Sequence, residues 1–126
     1  MIDHVSIAVR DLKVSARFYE PLLATLGMTK LRDWPDAAVG YGKKYSEFWI
    51  NRRKDMAPVA ADSGVHICLR APSVKAVDAF HAAALAAGGS SDGAPGLRAH
   101  YHENYYAAFI RDPDGNRIEV VTFVSA

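Results

Sequence analysis

The two halves of this chain nearly repeat one another. "HVSIAVRDLKVSARFY" begins at His4 and "HICLRAPSVKAVDAFH" at His66, an offset of 62 in a sequence of 126 residues. Each histidine is followed by a phenylalanine 14 residues on, Phe18 and Phe80, and by a glycine 23 residues on, Gly27 and Gly89. Chemical type and spacing return together, which marks an internal duplication with one supersecondary unit per half. Whatever the first half builds, the second must build again. The length suits one domain over residues 1–126, with a first module over about 1–55 and a second over about 62–126.

Each half reads as a strand, a helix and three further strands. Residues 3–9 and 64–70 are strands by their β-branched content and partial alternation. Asp11 and Ser73 are N-cap residues, whose side-chain oxygens can accept free first-turn amides. Helical spacing follows in Val14, Phe18, Leu22 and Leu26, and in Val74, Val77, Phe80 and Ala84. Pro21 is expected to kink or end the first helix. Strands are expected over 28–34, 37–42 and 45–51, then over 88–92, 104–111 and 116–124. In "RDPDGN" Pro113 presets φ and Gly115 permits a positive φ, so 111–116 is a tight hairpin turn. Asp112, Asp114 and Asn116 do not make a calcium loop, because the glycine comes too early for that pattern. The result is an α+β fold of paired βαβββ modules. About ten extra residues precede the final hairpin, in "SSDGAPGLRAHYHENYY".

Charge narrows the partners. Fifteen Lys and Arg stand against 14 Asp and Glu, a balance that favours neither nucleic acid nor an anionic membrane surface. The basic cluster "NRRKD" at 51–55 reads as a solvated loop. Cys68 has no partner for a disulfide and fits a reducing compartment; a small buried thiol in a strand suits it better than a nucleophile. No apolar run approaches the ~20 residues of a membrane span. The expectation is a soluble cytoplasmic protein.

Strand alternation then isolates four residues. His4, Ser6 and Ala8 share one face, opposite Val5, Ile7 and Val9; His66, Cys68 and Arg70 share one, opposite Ile67, Leu69 and Ala71. Glu47 stands against Phe48 and Ile50, and Glu119 against Ile118 and Val120. An ionised carboxylate in an apolar strand is costly unless paired or bound to a metal. Two histidines and two glutamates would answer that cost around a divalent cation. The plainer reading is a hydrogen-bonded structural histidine and a glutamate in a salt bridge, for which Arg117 is at hand beside Glu119.

The stretches "DHVSIAVRDLKVSARFYEPLLATLG", "GVHICLRAPSV" and "AAFIRDPDGNRIEVV" together resemble the vicinal oxygen chelate superfamily. That superfamily includes glyoxalase I, extradiol dioxygenases, fosfomycin-resistance enzymes and bleomycin-binding proteins. The resemblance implies mixed sheets curled into a cup around a metal, with ligands from the first and last strands of each module. The matching positions are His4, Glu47, His66 and Glu119. Members with a His-His-Glu triad have no fourth protein ligand at the position of Glu47. Imidazole and carboxylate suit Zn, Ni, Co, Mn or Fe(II) and leave positions open for a substrate chelated through adjacent oxygens. In a glyoxalase-like reaction Glu119 or Glu47 would act as the base beside a carbonyl.

The departures are informative. Relatives that use glutathione carry an arginine four residues after the first histidine, where this chain has Ala8, although Asn51 matches a position that contacts the thiol cofactor. Glutathione recognition is therefore in doubt. By alternation Trp49, Asn51, Cys68 and Arg70 line the face of the ligands; Arg70 either holds an anionic substrate group or pairs with Glu47 or Glu119. In the inserted loop His100, His102, Tyr105 and Tyr106 form either a lid with proton donors or an ordinary polar rim. Trp34, Tyr41 and Tyr45 read as core or dimer surface.

The leading function is a metal-dependent lyase or isomerase of glyoxalase type acting on a small molecule, with an extradiol dioxygenase as runner-up. Dioxygenases usually have four modules, and this chain has two. The competing function is a metal-free protein that sequesters a small molecule, as bleomycin-resistance members do. Small two-module members often form homodimers, some with the metal site shared between chains.

Overall fold

The computed structural model describes residues 1–124 and realises the duplication as two mixed four-stranded sheets with one helix each. The first module runs β1 (Val5–Val9), α1 (Leu12–Ala24), β2 (Thr29–Trp34), β3 (Ala38–Gly42) and β4 (Phe48–Arg52). The second runs β5 (His66–Arg70), α2 (Val74–Ala86), β6 (Ser90–Leu97), β7 (Tyr105–Arg111) and β8 (Arg117–Phe123). Strand order is β1-β4-β3-β2 in one sheet and β5-β8-β7-β6 in the other. The first strand of each module is thus an edge strand, paired in parallel with the last. This is the α+β architecture of paired βαβββ units that the repeat implied.

Local chemistry sets the elements. Asp11 Oδ1 accepts the Val14 N–H, and Ser73 Oγ accepts the Ala76 N–H, both at 3.1 Å. The first helix does not stop at Pro21 but continues to Ala24. Pro21 is exposed and lies near the C-terminal end of α1. Only its own bond to the Arg17 carbonyl is forgone, while the buried Leu22 and Leu23 hold the last turn. Strand β4 begins at Phe48, later than expected, because residues 43–47 fold back over Gly42. A Cβ there would meet the Tyr45 carbonyl oxygen at 1.8 Å. Strand β6 reaches Leu97, longer than expected, with register shifts at Ser91/Gly93 and Gly93/Gly96 on a sheet edge, where Pro95 is tolerated.

The apolar half of each strand builds one continuous core beneath both helices. Val9, Phe48, Ile50, Ile118 and Val120 meet Phe18, Leu22 and Leu23 of α1 and Val77, Phe80 and Ala84 of α2. Each large side chain buried there contributes about 1.5–3 kcal/mol. The RDPDGN hairpin adds a polar clamp between modules. Tyr19 donates its hydroxyl to Asp112 at 2.7 Å, and the same carboxylate accepts from Asp114 N, Asn116 N and Asn116 Nδ2 at 2.8–2.9 Å. Asn116 Nδ2 also reaches the Ala8 carbonyl at 2.9 Å, and Arg10 Nε reaches Asp114 at 3.1 Å. Burial pushes the Asp112 carboxyl up, and its donors, Tyr19 first, pull it back. Burial and the neighbouring Asp112 charge hold the Tyr19 phenol well above its usual range. Among the described residues no helix is long and apolar enough to cross a membrane.

Candidate functional site

The strands turn their second set of side chains away from the helices, as alternation requires. In the second sheet this face carries His66, Cys68 and Arg70 from β5, Glu119 and Phe123 from β8, and Tyr105 from β7. His66 Nε2 lies 3.0 Å from Glu119 Oε1, and the Tyr105 hydroxyl donates to Glu119 Oε2. Glu119 is 3% exposed, whereas His66 is half open. Burial and the bond to Glu119 hold the Tyr105 hydroxyl above its usual range.

Among the described residues no guanidinium serves this carboxylate. Arg117 donates to the Ala61 carbonyl and approaches Asp92 at 4.0 Å. The Arg70 guanidinium lies over the Phe123 ring, 4.7 Å from its centroid, and is in no ion pair with Glu47 or Glu119 among the described residues. Cys68 is exposed on this face, not buried as its strand setting suggested, because β5 is an edge strand and only its Ile67 and Leu69 side turns to the core. Desolvation, then the Glu119 charge, push its thiol up to about 12, far from a nucleophile's range.

The first sheet is different. His4 Nδ1 lies 2.7 Å from Asp3 Oδ1, and Glu47 is half-buried just ahead of β4. His4, Glu47, His66 and Cys68 line one cavity of about 460 Å³ between the edge strands β1 and β5. They do not converge: among the described residues no group of three His, Cys, Asp or Glu side chains could hold a metal ion. Register also separates the two glutamates. Ser6 pairs with Trp49 as Cys68 pairs with Glu119, so Trp49 holds in the first sheet the place of Glu119 in the second. Glu47 stands two residues earlier.

A larger cavity, about 780 Å³, lies on this face of the first sheet. Its walls include Trp34, Tyr45 and Trp49 with Arg32, Lys44 and Arg53. The indoles of Trp34 and Trp49 sit 5.1 Å apart, tilted by 39°. Of the three aromatics expected in the core or at a dimer surface, Tyr41 alone is in the core, its hydroxyl on Glu20 at 3.3 Å. Trp34 and Tyr45 are 56% and 55% exposed and line the cavity. The signal was present in "AAVGYG": Ala38 and Gly40 leave this face of β3 nearly bare, opposite Trp34, Arg32 and Trp49. A Cβ on Gly40 would meet the Trp49 ring at 3.0 Å and Ser46 Oγ at 2.6 Å. The β2 half of the wall was harder to read, since a register shift between Lys30 and Arg32 brings Leu31, Arg32 and Trp34 to one cavity. Asn51 lines it too, but its amide donates to Ser6 Oγ at 2.8 Å and to the Ile7 carbonyl at 3.0 Å.

The inserted loop closes the β6–β7 hairpin at one end of the second sheet. Its Tyr101 ring packs 5.2 Å from Tyr105, and His102 packs 5.7 Å from Phe123. His102 Nδ1 accepts the Asn104 N–H at 3.1 Å.

A family model for the Glyoxalase/Bleomycin resistance protein/Dioxygenase superfamily matches residues 1–120, and the chain belongs to that superfamily. Among solved structures it is similar to a glyoxalase/bleomycin resistance protein from Albidiferax ferrireducens, with 35% identity, a TM-score of 0.78, and coverage of 94% of this chain and 95% of that one. A glyoxalase/bleomycin resistance protein/dioxygenase family enzyme from Burkholderia phytofirmans matches at 21% identity and TM-score 0.72, over 98% of both chains. The fosfomycin resistance protein FosX from Mesorhizobium loti matches at 16% identity and TM-score 0.70, over 98% of this chain and 92% of that one. At those identities the last two share the fold alone. No functionally curated protein matches the chain.

Proposed function

We propose that this chain is a metal-dependent enzyme of the glyoxalase type, a lyase or isomerase acting on a small molecule that offers two neighbouring oxygens. One observation carries the reading: a buried carboxylate, Glu119, whose partners are the His66 imidazole at 3.0 Å and the Tyr105 phenol, with no guanidinium among the described residues. An imidazole and a carboxylate so placed would serve as two ligands of a divalent ion, and His4 would complete a two-histidine, one-carboxylate set. Glu47 lies two residues out of step with Glu119 and lines the cavity beside this set. The donor set suits Zn, Ni, Fe, Mn or Co, and the ion would polarise the substrate's adjacent oxygens as a Lewis acid. Glu119 would take or return the proton at the carbon beside a carbonyl, with Tyr105 holding its second oxygen. A dioxygenase is the runner-up within this class. Ala8 and the engagement of the Asn51 amide with β1 both weigh against glutathione.

His4 would reach the His66–Glu119 pair from a second copy of the chain. Supporting this, both histidines stand half open, and Tyr101 and Phe123 are exposed. Elemental analysis of tag-free protein tests the site: near-stoichiometric metal is expected, lost in His4→Ala, His66→Ala and Glu119→Gln. Mixing His4→Ala with Glu119→Gln under subunit exchange should restore one intact site per mixed dimer. Recovery of none would place the site within one chain. Wild-type protein that takes up no metal after incubation with Zn, Ni, Mn and anaerobic Fe(II) would overturn the enzyme reading. It would favour the alternative, a metal-free binding protein, for which Trp49 in the place matched to Glu119 speaks.

A further inference from the structure

We propose that the first-sheet wall of the cup binds a flat, conjugated ring bearing an acidic group, an aromatic carboxylate or its like. This rests on reading the cup as a small-molecule site, and it names the ligand class. Trp34 and Trp49, 5.1 Å apart, stand over the small residues Ala38 and Gly40 and offer indole surface beside open space. Such surface favours a planar ring through offset stacking and apolar burial. Tyr45 adds a third aromatic wall.

Charge supplies the second half of the recognition. Arg32, Lys44 and Arg53 line the same cavity, and among the described residues none of them is in an ion pair. The cavity's one carboxylate, Asp3, is already held by His4 at 2.7 Å. Three cations with no acidic partner, beside exposed indoles, suit a ligand that is flat at one end and anionic at the other. A guanidinium can grip a carboxylate through two parallel hydrogen bonds. A neutral ring would leave these charges unanswered, and an aliphatic acid would leave the indole faces unstacked.

The protein carries its own reporter, since the chain has only two tryptophans and both are in this wall. The test is an amide and indole N–H NMR titration of full-length protein with 2-naphthoate, naphthalen-2-ylmethanol and cyclohexanecarboxylate. Saturable shifts of both indole N–H resonances are expected with 2-naphthoate, which should bind about tenfold tighter than the alcohol or the aliphatic acid. Arg32→Gln should remove most of the preference over the alcohol, and Trp34→Leu most of the preference over the aliphatic acid. Indole resonances unmoved by 2-naphthoate at millimolar concentration would overturn the proposal, as would equal affinity for all three probes. Repeating the titration with His66→Ala separates the two readings. 2-Naphthoate binding retained in His66→Ala shows that the wall works without metal. Wild-type protein that binds 2-naphthoate yet takes up no metal sinks only the metal enzyme, and metal uptake without 2-naphthoate binding sinks only this proposal.

Discussion

The two sheets share one topology and differ in what they turn toward the cup. In the second, the row that joins β5 to β8 sets Cys68 beside Glu119, and an imidazole and a phenol gather on that carboxylate. In the first, the equivalent row sets Ser6 beside Trp49, and two indoles and three cations surround open space. Duplication kept the backbone pairing while the side chains on the exposed face diverged. Core-facing positions are held apolar by the shared core, whereas cup-facing positions are free of that constraint.

The helices repeat the lesson. Tyr19 on α1 and His81 on α2 are 62 residues apart, and both are buried polar groups. Tyr19 reaches across to Asp112 of the other module, while His81 stays at home, its Nε2 2.8 Å from Ser91 Oγ. One repeat position therefore joins the modules and the other serves its own sheet.

Removing the clamp is the strongest way to break this comparison. Asp112→Ala deletes the acceptor of four hydrogen bonds and should cost about 3–4 kcal/mol, at roughly 1 kcal/mol each. Urea unfolding measures it, and a loss below about 1 kcal/mol would show that the clamp contributes little. Gly40→Val drives a branched side chain into Ser46 and Trp49, at a cost of about 1–3 kcal/mol. The Trp49 indole N–H resonance should move with it; an unmoved resonance would mean that the first-sheet wall does not depend on a bare β3. The two N-caps, also 62 residues apart, should be interchangeable in strength. Asp11→Ala and Ser73→Ala are each expected to cost about 1 kcal/mol, and a clear inequality would mark one helix as held mainly by packing.

The smallest effect is one of pH. Burial holds the His81 imidazole below its ordinary 6.5, with Asp78 pulling weakly the other way. The unfolded chain then takes up the proton more readily than the fold. Stability from this group is full above about pH 6.5 and declines as pH falls through 6.5 toward the lower folded value. His81→Gln, which can still bond Ser91, should make the urea midpoint flatter over that window. A wild-type slope that the substitution leaves unchanged would assign the pH dependence to another group.

Much of this molecule was legible because its causes are local. The caps at Asp11 and Ser73, the turn at Pro113 and Gly115, and the outward faces of His66 and Glu119 all follow from a few neighbouring residues. Pro21 does not end its helix because a proline near the last turn gives up so little. Cys68 misled because an apolar-looking strand at a sheet edge buries only one of its sides.

By itself the sequence determined the repeat, the order of elements and which strand residues leave the core, since a period-two alternation is written in adjacent residues. Only the tertiary structure decided that Arg117 turns to Asp92 and Ala61 and leaves Glu119 to His66 and Tyr105. It also decided that Trp49, and not Glu47, matches Glu119, and that a register shift brings Arg32 and Trp34 to one pocket. Those are matters of register between strands far apart in the chain, and a slip of one residue exchanges the faces without changing a single local preference.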